Sequence, residues 1–151
     1  MSNRPCYIFD IDGTLADLTH RLPHIQKSPK DWDAFFESCD DDDPIEHVCT
    51  LANSVRRAAS SVIFVSGRSD RVHGKTRKWL ERHVGLWALT APLYMRRDGD
   101  HRPDHVVKLE LLEEIREHGY EPIMAFDDRD QVVKMWREAG VPCAQVAPGD
   151  F

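Results

Sequence analysis

The sequence has no apolar run approaching the ~20 residues needed to span a bilayer, which excludes a transmembrane helix of ordinary length. It has no CxxC pair. Its four cysteines, Cys6, Cys39, Cys49 and Cys143, are scattered, so free buried thiols are expected rather than a disulfide framework. It has no surplus of positive charge: 20 Lys and Arg against 26 Asp and Glu give a formal net charge of −6. That balance argues against a general affinity for polyanions, although a small basic mouth on an acidic body remains compatible with it. None of its eight histidines, His20, His24, His101 and His105 among them, pairs with another at convincing metal-ligand spacing. There is no internal repeat, and no low-complexity stretch beyond the run Asp40 to Asp43, which reads as a solvated loop leading into a helix. The opening MSNRPCYIFD has no apolar signal-peptide core, so a cytoplasmic protein without a membrane partner is expected.

What is present is ordinary for a globular chain: 151 residues, 41% hydrophobic and 30% charged, the size of one domain covering residues 1–151. Five short apolar runs read as strands: CYIFDI from Cys6, VIFV from Val62, LYM from Leu93, IMAF from Ile123, and AQV from Ala144, the last as an edge. Helical patterns lie between them, over Pro44 to Ala59, Arg71 to His83, Asp104 to Glu117 and Asp130 to Glu138. In the third, Val107, Leu111 and Ile115 recur four residues apart, and Gly119 stops the helix. Strands alternating with helices imply a parallel α/β sheet with right-handed crossovers. The segment from Asp17 to Asp43 breaks this rhythm with Pro23, Pro29 and a short helical piece, DWDAFFESC. It reads as an insertion projecting over the carboxyl ends of the strands.

Those carboxyl ends are where open α/β sheets bind ligands, and the chemistry-bearing residues fall there. The first strand runs into Asp10, Asp12, Gly13 and Thr14, the second into Ser66, Gly67 and Arg68, and the fourth into Asp127 and Asp128; Lys108 lies near the start of the helix before the fourth strand. Several carboxylates converging on one point repel unless a cation neutralises them. Hard oxygen donors point to Mg²⁺. A phosphate would then complete the site, with Asp10 attacking phosphorus to give an aspartyl-phosphate. Asp12 would protonate the leaving oxygen and later activate water. Ser66, Lys108 and backbone N–H groups after Asp12 would hold the phosphoryl oxygens, and Thr14 and Gly67 belong with this phosphate-binding set.

In this order these residues resemble the haloacid dehalogenase superfamily, whose four motifs are met by Asp10/Asp12, Ser66, Lys108 and Asp127/Asp128. An acid two residues after the nucleophile is the mark of its phosphatases. The stretch AFDDRDQVVKMWREAGVPCAQVAPGDF, with VSGR, TRKWLERHVG and RPDHVVK before it, resembles the phosphatase half of bacteriophage-type polynucleotide kinase/3′-phosphatases. The likeness covers nearly the whole chain and is loose only over Asp17 to Asp43. It implies a Rossmann-like fold with sheet order 5-4-1-2-3 and a small cap, residues 17–43, after the first strand. It also implies a Mg²⁺ site made by Asp10, Asp12, Asp127 and Asp128, Asp12 contributing its backbone carbonyl, and phosphate- or substrate-binding roles for Arg21, Arg68 and Asp104. The implied function is removal of 3′-phosphates from DNA or RNA ends in a bacterial or phage-infected cell, with room for a separate kinase or ligase partner.

One departure limits the likeness. The fused kinase half of that family carries a P-loop, and here six residues separate Gly67 from Gly74-Lys75-Thr76 where GxxxxGK[ST] has four. No 5′-kinase activity is expected, and Lys75 reads as solvated or substrate-facing. Two other readings of the same residues stay open: a phosphatase of a small nucleotide or sugar phosphate, and a binding module for phosphorylated ends that does not cleave. A receiver domain also combines an acid pair, an acceptor Asp, a Ser/Thr and a Lys, but in the opposite order. Asp104 would cap its helix or orient an arginine. Trp32, Phe35 and Phe36 would pack the cap or stack on a base. Arg68, Arg71, Lys75, Arg77 and Lys78 with Arg96, Arg97 and Arg102 would border one mouth as a local electrostatic funnel.

Overall fold

The computed structural model describes residues 3–58 and 61–151. The first strand, β1 (Arg4–Phe9), sets the plan, because its side chains are apolar on both faces. Cys6 and Ile8 enter one buried cluster while Phe9 enters the other. A strand with no wet face belongs at the centre of a covered parallel sheet. A short antiparallel ribbon follows, β2 (Ala16–Asp17) with β3 (Asp43–Pro44). The rest of the sheet is β4 (Val62–Ser69), β5 (Leu93–Arg96), β6 (Tyr120–Asp127) and β7 (Cys143–Gln145). Its order is β5-β4-β1-β6-β7, all pairs parallel. With the ribbon set aside this is the expected order 5-4-1-2-3, with the last strand on an edge.

The long helices are α3 (Glu46–Ala58), α4 (His73–His83), α5 (Asp104–Glu117) and α6 (Asp130–Glu138). Helices α5 and α6 cover the face carrying Ile8, Ile63 and Val65, through Val107, Leu111, Ile115, Val132 and Trp136. Helices α3 and α4 cover the other face, where Val48, Ala52, Trp79 and Leu80 meet Phe9, Val62 and Phe64. Each such side chain contributes about 1.5–3 kcal/mol on full burial, so both layers are firmly held. The four cysteines are free and buried, as expected from the sequence. No helix among the described residues is long and apolar enough to cross a membrane.

Several boundaries differ from the sequence reading: β1 starts at Arg4, β4 runs on to Ser69 and β6 starts at Tyr120. Helix α3 starts at Glu46, since Pro44 is drawn into the ribbon opposite Ala16; its expected last residue, Ala59, lies outside the described residues. The stretch before α4 is a 3₁₀ turn, Asp70–Val72, started by the Ser69 hydroxyl accepting from the Arg71 N–H. Strand β7 starts one residue early, at Cys143.

Between β2 and β3 the chain forms a 3₁₀ turn (Thr19–Arg21), α1 (Pro23–Gln26), α2 (Trp32–Glu37) and a second 3₁₀ turn (Cys39–Asp41). Asp31 starts α2 by accepting from the Ala34 N–H at 2.9 Å, a side-chain N-cap. The segment is fastened to the body. Cys39 is buried with Val72 and Met95, and the Trp79 indole donates to the Asp42 carbonyl at 2.9 Å.

Candidate active site

Register delivers the first acids. Phe9 pairs with Phe126, so the next residues of the two neighbouring strands, Asp10 and Asp127, emerge side by side. Lys108, one turn into α5 and buried, places its ammonium between them, 2.8 Å from Asp10 Oδ1 and 3.0 Å from Asp127 Oδ2. The Thr14 hydroxyl donates to the other Asp10 oxygen at 2.9 Å. Asp127 also accepts from the Asp128 N–H and the Trp136 indole, which fixes its plane. Asp128 completes a buried trio in which one ligand atom from each of Asp10, Asp127 and Asp128 lies within 4.8 Å of the others.

Three carboxylates thus face one ammonium, and the titration behaviour reflects the excess. Burial, then Asp127, pushes the Asp10 carboxyl well above its ordinary value, against the pull of Lys108. Burial and Asp127 likewise push Asp128 up to about 6. Burial opposes the Lys108 charge, yet Asp10 and Asp127 hold its pKa well above normal. Such a cluster of hard oxygen donors favours a bound cation on electrostatic grounds. Gly13 makes the convergence sterically feasible. Its φ of 84° is in the left-handed region, and a Cβ there would overlap the Asp128 carboxylate.

Asp12 stands apart from that trio. Its carboxylate accepts from Arg21 Nη2 at 2.9 Å, from Arg68 Nε at 2.9 Å, and lies 2.7 Å from Arg68 Nη2. Burial works upward on Asp12, but Arg68 and Arg21 outweigh it and hold its pKa below the ordinary value. Both arginines are fully buried, and they share a second anion, Asp42. Asp42 accepts from Arg21 Nε and Nη2, each at 2.7 Å, from Arg68 Nη2 at 3.0 Å, and contacts His20 Nε2 at 2.7 Å. Two buried cations therefore alternate with one buried anion, Asp42, and one partly exposed anion, Asp12. Thr76 Oγ1 and the Phe35 carbonyl accept further guanidinium N–H groups, at 3.2 and 3.1 Å, and the Phe35 ring lies 4.5 Å under Arg21.

This network overturns the reading of Asp40 to Asp43 as a wholly solvated loop, since Asp42 is buried at its centre. A signal was available: two arginines assigned to one site need more than the single negative charge of Asp12. His20 joins through the same carboxylate and had no sequence signal of its own.

The remaining residues line the adjoining strand end. Ser66 is buried, and its Oγ accepts from the Arg68 N–H at 3.1 Å. Gly67 is packed against Asp104 so closely that a Cβ would overlap the carboxylate. Asp104 does not cap α5 with its side chain; it accepts from Arg96 Nη2 at 2.9 Å, and Arg96 Nε donates to the Gly67 carbonyl at 2.7 Å. Asp104 thus orients an arginine that braces the second strand end. Most of the cations expected to form a funnel are engaged within the protein, while Lys78 and Arg97 are exposed. Arg71 and Lys75 pair with Asp33, Glu37 and Asp40 of the inserted segment, Arg77 donates to the Ala88 and Ala91 carbonyls, and Arg102 is engaged by Asp100 and Glu110. Lys75 is therefore a tie to the insertion.

The chain is similar to several known proteins. The sequence matches the family described as "Polynucleotide kinase PNKP phosphatase domain" over residues 4–151. It is similar to an Autographa californica nuclear polyhedrosis virus protein named as a bifunctional polynucleotide kinase/RNA ligase, being 29% identical over 133 residues, 88% of this chain and 18% of that protein. Its structure is similar to a chain in the Pnkp1/Rnl/Hen1 RNA repair complex, with a TM-score of 0.82 and 31% identity over 99% of this chain and 44% of that one. The class C acid phosphatase from Bacillus anthracis shares the fold, with a TM-score of 0.71 and 13% identity over 99% of this chain and 68% of that one. The chain spans less than half the length of the first two relatives.

Proposed function

Because the chain belongs to the family of polynucleotide kinase PNKP phosphatase domains, a family of haloacid dehalogenase-type phosphatases, we propose that it is a Mg²⁺-dependent polynucleotide 3′-phosphatase. In this reading it removes terminal 3′-phosphates from DNA or RNA ends through an aspartyl-phosphate on Asp10 and has no 5′-kinase activity. The observation that carries it is the buried Asp10 carboxylate, gripped by Lys108 and Thr14 beside Asp127 and Asp128, with Asp12 two residues on in an arginine clamp. Residues 1–151 act as one phosphatase domain, and residues 17–43 act as its cap.

Each side chain has a duty. Thr14 and Lys108 hold the Asp10 plane so that one carboxylate oxygen attacks phosphorus as the ester bond to the 3′-oxygen breaks. Asp10, Asp127 and Asp128, with the Asp12 backbone carbonyl, fit Mg²⁺, because the donors are all hard oxygens carrying more charge than Lys108 balances. When bound, the ion supplies charge stabilisation at the phosphoryl oxygens. Ser66, Gly67, Lys108 and the N–H groups after Asp12 take up those oxygens as well. Asp12, kept ionised by Arg21 and Arg68, is poised to accept a proton from the water that hydrolyses the intermediate. To protonate the leaving 3′-oxygen it must first gain a proton, which the negative charge of an arriving phosphate favours. Arg21 and Arg68, whose guanidinium groups are engaged by Asp12 and Asp42, act as positioning groups rather than as the phosphate binders the resemblance implies, and Asp104 positions Arg96.

The relatives point from a generic phosphatase towards polynucleotide ends, since one is named for polynucleotide kinase and RNA ligase activities and another belongs to an RNA repair complex. A cytoplasmic setting in a bacterial or phage-infected cell, with a separate kinase or ligase partner, completes the reading. The test is phosphate release from a 3′-phosphorylated oligonucleotide with Mg²⁺ and with EDTA, beside a 5′-phosphorylated oligonucleotide and a mononucleoside 3′-phosphate. Metal-dependent release from the 3′-phosphorylated oligonucleotide is expected, faster than from the mononucleotide and with none from the 5′-phosphorylated oligonucleotide. Release confined to the mononucleotide would keep the Asp10 chemistry and remove the polynucleotide assignment.

A further inference from the structure

Helix α2 opens with a tryptophan that the core does not claim. Trp32 is 43% exposed, although its neighbour Phe35 is buried. The indole is held without being covered: it stacks on Phe36 with ring centres 6.0 Å apart and meets Phe35 edge-on at 5.6 Å. It borders a cleft of about 550 Å³ formed by residues 27–33. Two exposed lysines share the cleft. Lys30 brings its ammonium 5.7 Å from the indole centre, and Lys27 makes only a long, 3.8 Å pair with Asp31.

The cleft is linked to the reaction centre by a short chain of contacts. Trp32 leans on Phe35, Phe35 lies under Arg21, and Arg21 donates to Asp12 at 2.9 Å. Asp31 and Asp33 also line the cleft, Asp31 capping α2 and Asp33 paired with Arg71 at 3.0 Å. A rigid aromatic surface beside two exposed lysines, joined by these contacts to a site for a strand-terminal phosphate, matches what single strands need: a face for a base and positive charge for the backbone. A small phosphate ester would occupy the Asp10 end and leave the indole untouched.

Resting on the polynucleotide reading above, we propose that Trp32 is the stacking platform for a nucleobase lying upstream of the 3′-terminal nucleotide, with Lys27 and Lys30 facing the adjoining phosphodiester. The subsite gives the enzyme a preference for strands over mononucleotides that the catalytic residues cannot supply.

The test compares wild type, Trp32→Ala and Trp32→Phe on a mononucleoside 3′-phosphate, a 3′-phosphorylated oligonucleotide, and the same oligonucleotide carrying abasic residues upstream of its end. In Trp32→Ala, the ratio of kcat/KM for oligonucleotide over mononucleotide falls about tenfold or more, mainly through KM. Trp32→Phe recovers most of that ratio, and the abasic strand gains little from the indole in wild type. An equal loss on all substrates would show that Trp32 only packs the cap, and an unchanged ratio would show that no base lies on it; either overturns the subsite. An oligonucleotide that wild type does not hydrolyse would refute the polynucleotide reading itself, a result distinct from an active wild type with an indifferent Trp32→Ala.

Discussion

Replacing Asp42 by Asn gives the sharpest test of the arginine clamp. The substitution keeps the shape of the side chain, removes its charge, and turns one acceptor into an amide facing guanidinium donors. Arg21 and Arg68 would then share a single anion, the partly exposed Asp12, where they now share two. Breaking a buried ion pair by removing one partner costs about 3–5 kcal/mol. A domain with about 5–15 kcal/mol of total stability survives that loss in a weakened state. With a slope of about 2 kcal/mol per molar, the urea midpoint falls by about 1.5–2.5 M. Activity falls further than stability explains, because Asp12 loses the geometry its two donors impose. Misplacement of a catalytic group by about 1 Å costs on the order of a hundredfold. Urea unfolding followed by tryptophan fluorescence, and phosphate release at a temperature where the variant is folded, measure the two effects separately. A midpoint shift below about 0.5 M together with turnover within about threefold of wild type would refute the assignment of Asp42 as the counter-charge.

Two further outcomes are expected. Asp10→Asn should lower turnover below about a hundredth of wild type, and Mg²⁺ is expected to raise the melting temperature of the wild type but less that of the variant, which lacks one proposed ligand; thermal melts with Mg²⁺ and EDTA check this, and an equal metal response in both would remove Asp10 from the proposed ion site. Burial holds the Cys6 thiol at about 12, and Cys49 and Cys143 at about 11 and about 12. An unfolded thiol ionises near pH 8.5, so the stability these groups contribute is complete below that pH and is lost as pH climbs towards 11–12. The stability advantage of wild type over Cys6→Ala should therefore narrow between pH 8 and 10 in urea titrations, and a constant difference contradicts the burial argument.

Much of this site was legible in the sequence because parallel strands in register place their carboxyl ends together. Once CYIFDI and IMAF are read as neighbouring strands, the convergence of Asp10 and Asp127 follows from the pleat, and the helical spacing of Val107, Leu111 and Ile115 fixes the face of α5 from which Lys108 reaches inward. The inserted segment was less legible. Its elements are too short for periodicity to speak, and its folding depends on contacts with partners far away in sequence. Asp42 illustrates the difficulty: among four consecutive aspartates composition suggests solvent, and only pairing with Arg21 and Arg68, 21 and 26 residues away, distinguishes one from the others. The basic residues erred in the opposite direction. A cluster such as Arg71 and Lys75 reads as an attractor for anionic substrate until the acids that neutralise it are located.

The position of Asp42 at the far end of the insertion also bears on how material enters and leaves. A lid that swings aside would have to carry off Asp42 and Arg21 together, strand Arg68 without half its counter-charge, and release Asp12 from its grip. Each opening would dismantle the clamp on Asp12, to which the proposed mechanism gives the proton transfer, and rebuild it for the next turnover. The insertion is better suited to be a fixed wall than a door. Under the proposed 3′-phosphatase reading that suits a polymer, whose remaining length must trail out of the enzyme while its tip is processed and over which no lid could close.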